Sequence, residues 1–374
     1  IPGARLQARG MIRKLGLIVL AFLALSLLYL LAWPVPVEPV AWDAPEDEGL
    51  SGAFTPNDIL AATRGINLGS NYGPEDIAIA ANGTLFAAIS NGTVLQVGTD
   101  GRRIATFATT GGRPLGLDFG PDGALWVANA THGLQRVTRH GQVADVLNEV
   151  NGQPLVYADD VAVAANGKVY LTEASTKFGA AQYEGTLEGS LLDLLEHGAH
   201  GMVLEYDPQS DTARVLLDNL NFANGIAVSD DQQFLLVAET GSYRILKHWL
   251  TGPRAGDTEV LLDNLPGFPD NINNGLNGRF WIGLAAPRNA LLDRLSDKPF
   301  LRKVVQRLPN SLRPGPARSS HVIAINGDGD VLMSLQDSAA RTPLMTGAVE
   351  TRDFIYFSTL VGNQLPMISK QDLL

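Results

Sequence analysis

The sequence predicts an all-β protein, a six-bladed β-propeller, with a transmembrane helix at its N-terminus. Three observations carry this prediction. One phrase, an apolar strand, a polar turn and an apolar or aromatic strand, recurs six times in phase. Most of the intervals match the length of a four-stranded propeller blade. Ahead of the repeats lies a single uncharged run, long and apolar enough to cross a hydrocarbon core.

The apolar run comes first. Leu15 to Trp33 reads LGLIVLAFLALSLLYLLAW, 19 residues without a charge, or about 28 Å of helix at 1.5 Å per residue. Arg5, Arg9, Arg13 and Lys14 precede it, and the first acidic residue after it is Glu38. The positive-inside rule then leaves residues 1–14 in the cytoplasm and exports the rest to the periplasmic, extracellular or lumenal side. A cleaved signal peptide is the alternative. The run is longer than the about 7–15 apolar residues of a signal core, and no small-x-small site closes it. A retained anchor over 15–33 is therefore expected. Met11 is a sensible first residue, so residues 1–10 are expected to be extraneous. Residues 34–45, opening Pro34-Val35-Pro36-Val37, read as a stiff Pro-rich linker.

Residues 46–374 form the predicted propeller. The six phrases open at Glu75, Leu115, Asp159, Asn224, Asp270 and Thr346, at intervals of 40, 44, 65, 46 and 76 residues. Asn-Gly and Asp-Gly pairs sit at the turns, as hairpins require. The two long intervals carry insertions around Phe178 to His200 and Pro287 to Ser319. Both hold helix-compatible runs, GSLLDLLEHG and NALLDRLSDKPFLRKVVQRL. Residues 45–70 are expected to add an outer strand that closes the last blade. A β-sandwich also uses short strands, but it does not call for six repeats in phase.

Composition narrows the chemistry. The chain has no Cys, which excludes disulfides and thiolate metal sites. Its net charge of -11 argues against a nucleic-acid partner. In a propeller, equivalent repeat positions converge on the central channel. Four of the six opening residues are carboxylate or carboxamide: Glu75, Asp159, Asn224 and Asp270. Three formal negative charges in one confined place require protons or a cation. Oxygen-only donors suit Ca²⁺ ahead of Mg²⁺ or Mn²⁺. Asp76, Asp160 and Asn271 are adjacent candidates for further ligands or supports. The bland reading is that each residue caps a turn; four in register favour a metal site. His197 and His200 are weak ligand candidates, and His321 is a candidate to approach the channel.

GPEDIAI, NFANGIAVS and PGFPDNI resemble the metal-ligand motifs of the calcium-dependent six-bladed propeller hydrolases, the gluconolactonase and paraoxonase groups. VYLTEASTKF, GMVLEYDP, LLDNLNFANGIAVSDD, VAETGSYRI and LPGFPDNI are similar to the strictosidine synthase-like branch, which includes the adipocyte plasma membrane-associated proteins. The resemblance covers about residues 50–374. It implies that Glu75, Asn224 and Asp270 are metal ligands, with Asp159 as a further one. Asp160 and Asn271 match residues beside the ligands in the paraoxonases. Two departures stand out. The paraoxonase His beside the metal is replaced by Arg113-Pro114-Leu115-Gly116. The Glu that plant strictosidine synthases place before the last inner strand is absent from Leu344-Met345-Thr346-Gly347, and the nearest is Glu350.

The expectation is a membrane-anchored, Ca²⁺-dependent hydrolase of esters or lactones. Asp270 or Asp160 would act as general base on water, or Asp270 would attack directly. Glu75, Asp159, Asn224, Asp270 and Asn271 would hold the ion. The alternatives are a tethered, non-catalytic binding propeller with structural Ca²⁺ and, more weakly, amine–aldehyde condensation of the plant type.

Overall fold

Each repeated phrase becomes an inner hairpin because its turn chemistry is locally complete. At Asn82-Gly83, Asp122-Gly123 and Asn166-Gly167 the glycine adopts positive φ (84°, 74° and 87°). The preceding side chain accepts the N–H of Thr84, Ala124 or Lys168 at 3.0 Å. A left-handed glycine and an Asx acceptor together reverse the chain. The computed structural model describes residues 2–373 and shows six four-stranded antiparallel sheets arranged as propeller blades. Their innermost strands are Ile77–Ile79, Pro114–Phe119, Ala158–Val163, Ala223–Val228, Gly267–Asn274 and Met345–Glu350.

The ring closes as expected. Arg64–Asn67 joins the last blade as its outermost strand, antiparallel to Gln364–Ser369, with Arg64 opposite Met367 and Asn67 opposite Gln364. The closing strand is shorter than the 45–70 segment suggested. The residues before it cover the open edge of the fifth blade instead. There Asn57 Nδ2 donates to the Ser334 carbonyl (2.8 Å) and Gln336 Nε2 to the Phe54 carbonyl (2.9 Å). An unpaired edge is thereby occupied.

The core lies between blade faces. Ile77, Leu85 and Leu95 of the first blade pack with Val349 and Tyr356 of the last. Trp126 and Trp281, on second strands, are buried as the sequence suggested. Inner strands of adjacent blades approach closely: a Cβ on Gly225 would lie 2.3 Å from the Asp270 carbonyl oxygen and 2.4 Å from the Ile272 nitrogen. Only glycine admits that spacing.

Helix α1 spans Pro2–Ala32, and its Gly10–Ala32 stretch is long and apolar enough to cross a membrane, with none of it buried. The two insertions are helical. The first holds α2 (Thr186–Glu196); the second holds α3 (Ala290–Arg294) and α4 (Pro299–Gln306). Each leaves from the end of a second strand, which in an antiparallel sheet lies at the same end of the propeller as the starts of the inner strands.

The segment after α1 is fastened to these insertions. Val40 N donates to the Glu196 carbonyl (2.9 Å) and Trp42 N to the Ser296 carbonyl (3.2 Å). Val37 is buried against Phe178 and Leu192. Arg302, fully buried, donates to the carbonyls of Leu195, Glu196, Ser296 and Val40. Arg307 donates to the carbonyls of Leu30 (3.0 Å) and Trp33 (2.5 Å), satisfying acceptors that the end of α1 leaves open.

Candidate metal-binding site

The residues singled out by repeat phase share a structural cause. In five blades the pairing of first and second strands breaks register at that point. The breaks fall between Pro114 and Leu117, Ala158 and Val161, Ala223 and Ile226, Pro269 and Ile272, and Met345 and Gly347. A bulge frees one or two residues from the ladder and re-aims their side chains. Leu115, Asp159, Asn224, Asp270 and Thr346 all fall within these breaks. In the first blade Glu75 and Asp76 precede the strand, held by Glu75 N to Ala88 O (2.9 Å) and Ala88 N to Asp76 O (3.0 Å).

Glu75, Asp159, Asn224, Asp270 and Asn271 are all buried. Asn271 Nδ2 donates to Glu75 Oε1 (3.1 Å) and to the Glu75 carbonyl (3.0 Å), although the two are 196 residues apart. Burial pushes the Glu75 carboxyl well above its usual pKa, and Asp270 raises it further while Arg113 opposes the rise. Asp159 is raised by burial, then by Glu75 and Asp270. Asp270 is pushed up to about 7, chiefly by burial, with Asn224 opposing and Asp76 adding to the shift. The carboxylates repel one another in a site with little water to screen them.

The donor atoms left over are oxygens. Glu75 Oε2, Asn224 Oδ1 and Asn271 Oδ1 are buried without a hydrogen-bond partner. Such orphans are rare and call for a ligand or ion. An oxygen-only set fits a hard divalent cation such as Ca²⁺. Among the described residues no three His, Cys, Asp or Glu side chains are grouped to hold an ion by themselves. Carboxamides would have to complete the set.

Asp160 has a different environment. Its Oδ1 accepts from Val161 N and its Oδ2 from Ile226 N of the next blade, both at 2.8 Å. Asp76 accepts from Leu117 N (2.8 Å) and Asn273 Nδ2 (2.9 Å), and Asp118 from Val163 N (2.7 Å). The bonds to Ile226, Leu117 and Val163 tie neighbouring inner strands that share no ladder, and the Asn273 bond links the first blade to the fifth. Asp118 was missed from the sequence, yet it stands three residues past its repeat opening in a phrase that is otherwise apolar.

Arg113 stands in the stretch where the paraoxonases carry a His. One of its guanidinium nitrogens is buried without a partner. Burial draws its pKa down, while Glu75, Tyr157 and Asp159 hold it up. It brings a positive charge to the carboxylate cluster. Tyr157 donates to the Thr186 carbonyl at the start of α2 (2.7 Å). The TEASTKF stretch now has a role: Glu173 Oε1 accepts the N–H groups of Val156 (2.6 Å) and Tyr157 (2.8 Å), just before Asp159, and Lys177 pairs with Glu196 (2.7 Å).

The weaker histidine candidates lie elsewhere. His321 sits on a third strand, Ser320–Asn326, with Nε2 2.9 Å from Ser334 Oγ, so it does not approach the channel. His197 stacks on Trp42 (3.9 Å between centroids), and His200 meets Glu196 at 2.7 Å; they form no metal pair. Glu350 lies at the far end of the last inner strand. It accepts from Trp281 Nε1 and Leu276 N, both at 3.0 Å, and is thus removed from the end that carries Thr346.

Asn224 and Asp270 open into a cavity of about 370 Å³ beneath the insertions. Leu191, Leu194, Phe222, Phe268 and Val305 give it an apolar wall.

The fold is a six-bladed propeller like that of the gluconolactonases, with a helical cover over one end of its channel. A gluconolactonase from Xanthomonas campestris aligns with a TM-score of 0.60 at 17% identity, covering 90% of this chain and 98% of that one. The calcium-binding protein regucalcin from Agrobacterium tumefaciens aligns with a TM-score of 0.58 at 13% identity, covering 82% and 93%. At these identities the likeness is one of fold. The family is shown by sequence. The strictosidine synthase family matches residues 159–253 and the strictosidine synthase-like N-terminal family residues 52–97. Adipocyte plasma membrane-associated protein of Bos taurus is 32% identical over 352 residues, 87% of this chain and 82% of the relative. The chain belongs to the strictosidine synthase-like family that includes the adipocyte plasma membrane-associated proteins.

Proposed function

We propose that the protein is a membrane-anchored, Ca²⁺-dependent hydrolase of esters or lactones. The observation that carries this reading is the set of buried, unpartnered oxygens on Glu75, Asn224 and Asn271, next to an apolar-walled cavity that Asn224 and Asp270 line. Glu75, Asp159, Asn224, Asp270 and Asn271 are the residues that would hold the ion. When bound, the ion polarises the carbonyl oxygen of the substrate. Asp270, raised to about 7 by burial when no ion is bound, would be held ionised by the cation and so able to take a proton from water. Asp160 is the less suited of the two candidate bases, because backbone N–H groups occupy both of its oxygens. The apolar wall binds the substrate body and excludes water. The fold neighbours, a gluconolactonase and a calcium-binding protein, support the same chemistry by analogy of fold alone.

In this reading α1 crosses the membrane with residues 1–14 in the cytoplasm, and the propeller lies on the opposite side. The membrane-associated relative supports the anchor. One observation favours a second reading, a non-catalytic binding propeller. Arg113 already supplies a cation near Glu75 and Asp159, which lowers the need for chemistry by a bound metal. The condensation reading is weakened by Thr346, whose hydroxyl donates to the Glu75 carbonyl and accepts from Ser358 Oγ where a catalytic Glu would be required.

The test uses the full chain in detergent micelles with phenyl acetate and a series of lactones. Turnover on at least one substrate, abolished by chelator and restored by Ca²⁺, is expected. No chelator-sensitive turnover on any of them would leave the binding propeller as the better reading.

A further inference from the structure

The second insertion presents two chemically distinct faces. On α4, Arg302 points inward to the carbonyls that fasten the 37–42 segment. Phe300 and Arg307 are seven residues apart, so at 3.6 residues per turn they lie within about 20° of one another on the helix. Arg307 holds the carbonyls of Leu30 and Trp33 at the end of α1. Phe300 therefore faces the side of the cover from which α1 departs. It is 53% exposed. Leu301, Leu312, Leu291 of the same insertion and Leu187 of α2 are also exposed, as is Trp33 at the end of α1. Isolated exposed apolar residues are ordinary. Here they cluster on the two insertions that cover the cavity, beside the end of an apolar helix.

Charge gives an independent indication. Residues 288–319 hold eight basic residues against two acidic ones, in a chain whose net charge is -11. Arg288, Arg302 and Arg307 are committed to internal bonds. Among the described residues Arg294, Lys303, Arg313 and Arg318 form no ion pair. Lys303 lies on the same side of α4 as Phe300 and Arg307. Apolar side chains interleaved with cations that have no acidic partner, Arg313 among them although its Nε donates to the Leu308 carbonyl, match a lipid surface with anionic headgroups.

We infer that a lipid bilayer bearing anionic headgroups covers this face, so that the insertions rest on the membrane and the cavity opens at headgroup level. Continuity with α1 sets the position, because Arg307 joins the cover to the end of the helix. This inference rests on α1 crossing the bilayer, as in the reading above, and is independent of any hydrolytic activity. Its consequence for a ligand is that an amphiphile could pass from the bilayer into the cavity without crossing bulk water.

The chain has no Cys, so each introduced cysteine is a unique label site. Four variants of the full chain, Leu20→Cys, Phe300→Cys, Leu312→Cys and Ala81→Cys, are spin-labelled and placed in nanodiscs of phosphatidylcholine and phosphatidylglycerol. Ala81 lies in an exposed hairpin turn at the opposite end of the propeller. Collision with oxygen and with a water-soluble nickel chelate is then compared. The labels at Leu20, Phe300 and Leu312 should shift toward oxygen relative to Ala81. Removing phosphatidylglycerol should reduce the shift at Phe300 and Leu312 but not at Leu20. Labels at 300 and 312 that match Ala81, with Leu20 in the bilayer, would overturn the membrane seat and leave the hydrolase reading untouched. An aqueous Leu20 would overturn both the crossing helix and the seat. A shift at 300 and 312 indifferent to headgroup charge would overturn the electrostatic part.

Discussion

Asp270→Asn is expected to lower hydrolytic turnover by about 100- to 10,000-fold, the usual contribution of a positioned base. The substitution keeps an oxygen donor at the same place but cannot accept the proton. Stability should not fall in the absence of Ca²⁺, because removing one carboxylate relieves the repulsion that raises Glu75 and Asp159. Ca²⁺ binding should weaken but persist. The measurement is kcat on the best substrate beside a calorimetric Ca²⁺ titration of the same preparation. Unchanged kcat with intact Ca²⁺ binding would remove Asp270 from the chemistry.

Arg302→Ala is expected to release the segment that joins the anchor to the propeller. The guanidinium is fully buried and reaches carbonyls from α2, the α3–α4 connection and the 37–42 segment. Truncation leaves these acceptors without their donor and opens a void. Leaving a buried carbonyl without its donor costs about 1–3 kcal/mol for each group. The loss should be local, since the propeller strands do not depend on these bonds. Hydrogen exchange reads it directly. The Val40 and Trp42 amides, which donate to Glu196 and Ser296, should lose protection by roughly 100-fold or more. Amides of the inner strands should be unaffected. Equal protection in the variant would show that Val37 packing and the Trp42–His197 stack suffice.

Much of this arrangement was legible in the sequence, and the reasons are specific. Blade number could be read because Asn-Gly or Asp-Gly turns fix four of the six inner hairpins locally and the other two keep the same phrase around a polar turn. The opening residues could be aligned because they share a phase, and the structure explains that phase as a repeated bulge. What was less legible depends on contacts between distant segments. Residues 34–45 read as a spacer because Pro-rich chain is stiff. Their attachment comes from Arg302 and Glu196, more than 150 residues away, and no local pattern reveals it. Arg113 carried no signal beyond replacing a His, since its position beside Glu75 and Asp159 depends on the closed ring. Asp160 and Asp270 both read as acids beside a metal. Only backbone amides from the next blade distinguish a strand tie from a free carboxylate. His321 looked central because it follows an insertion, but the intervening second strand moves it one layer outward.

The central claim is that oxygens from separate blades form one cation site, and Ca²⁺ titration calorimetry of the full chain tests it most directly. One ion per chain is predicted for the wild type, with binding lost or reduced by more than about tenfold in Glu75→Gln, which removes a charged ligand while retaining its shape. Absence of Ca²⁺ binding by the wild type, or undiminished binding by the variant, would contradict the account.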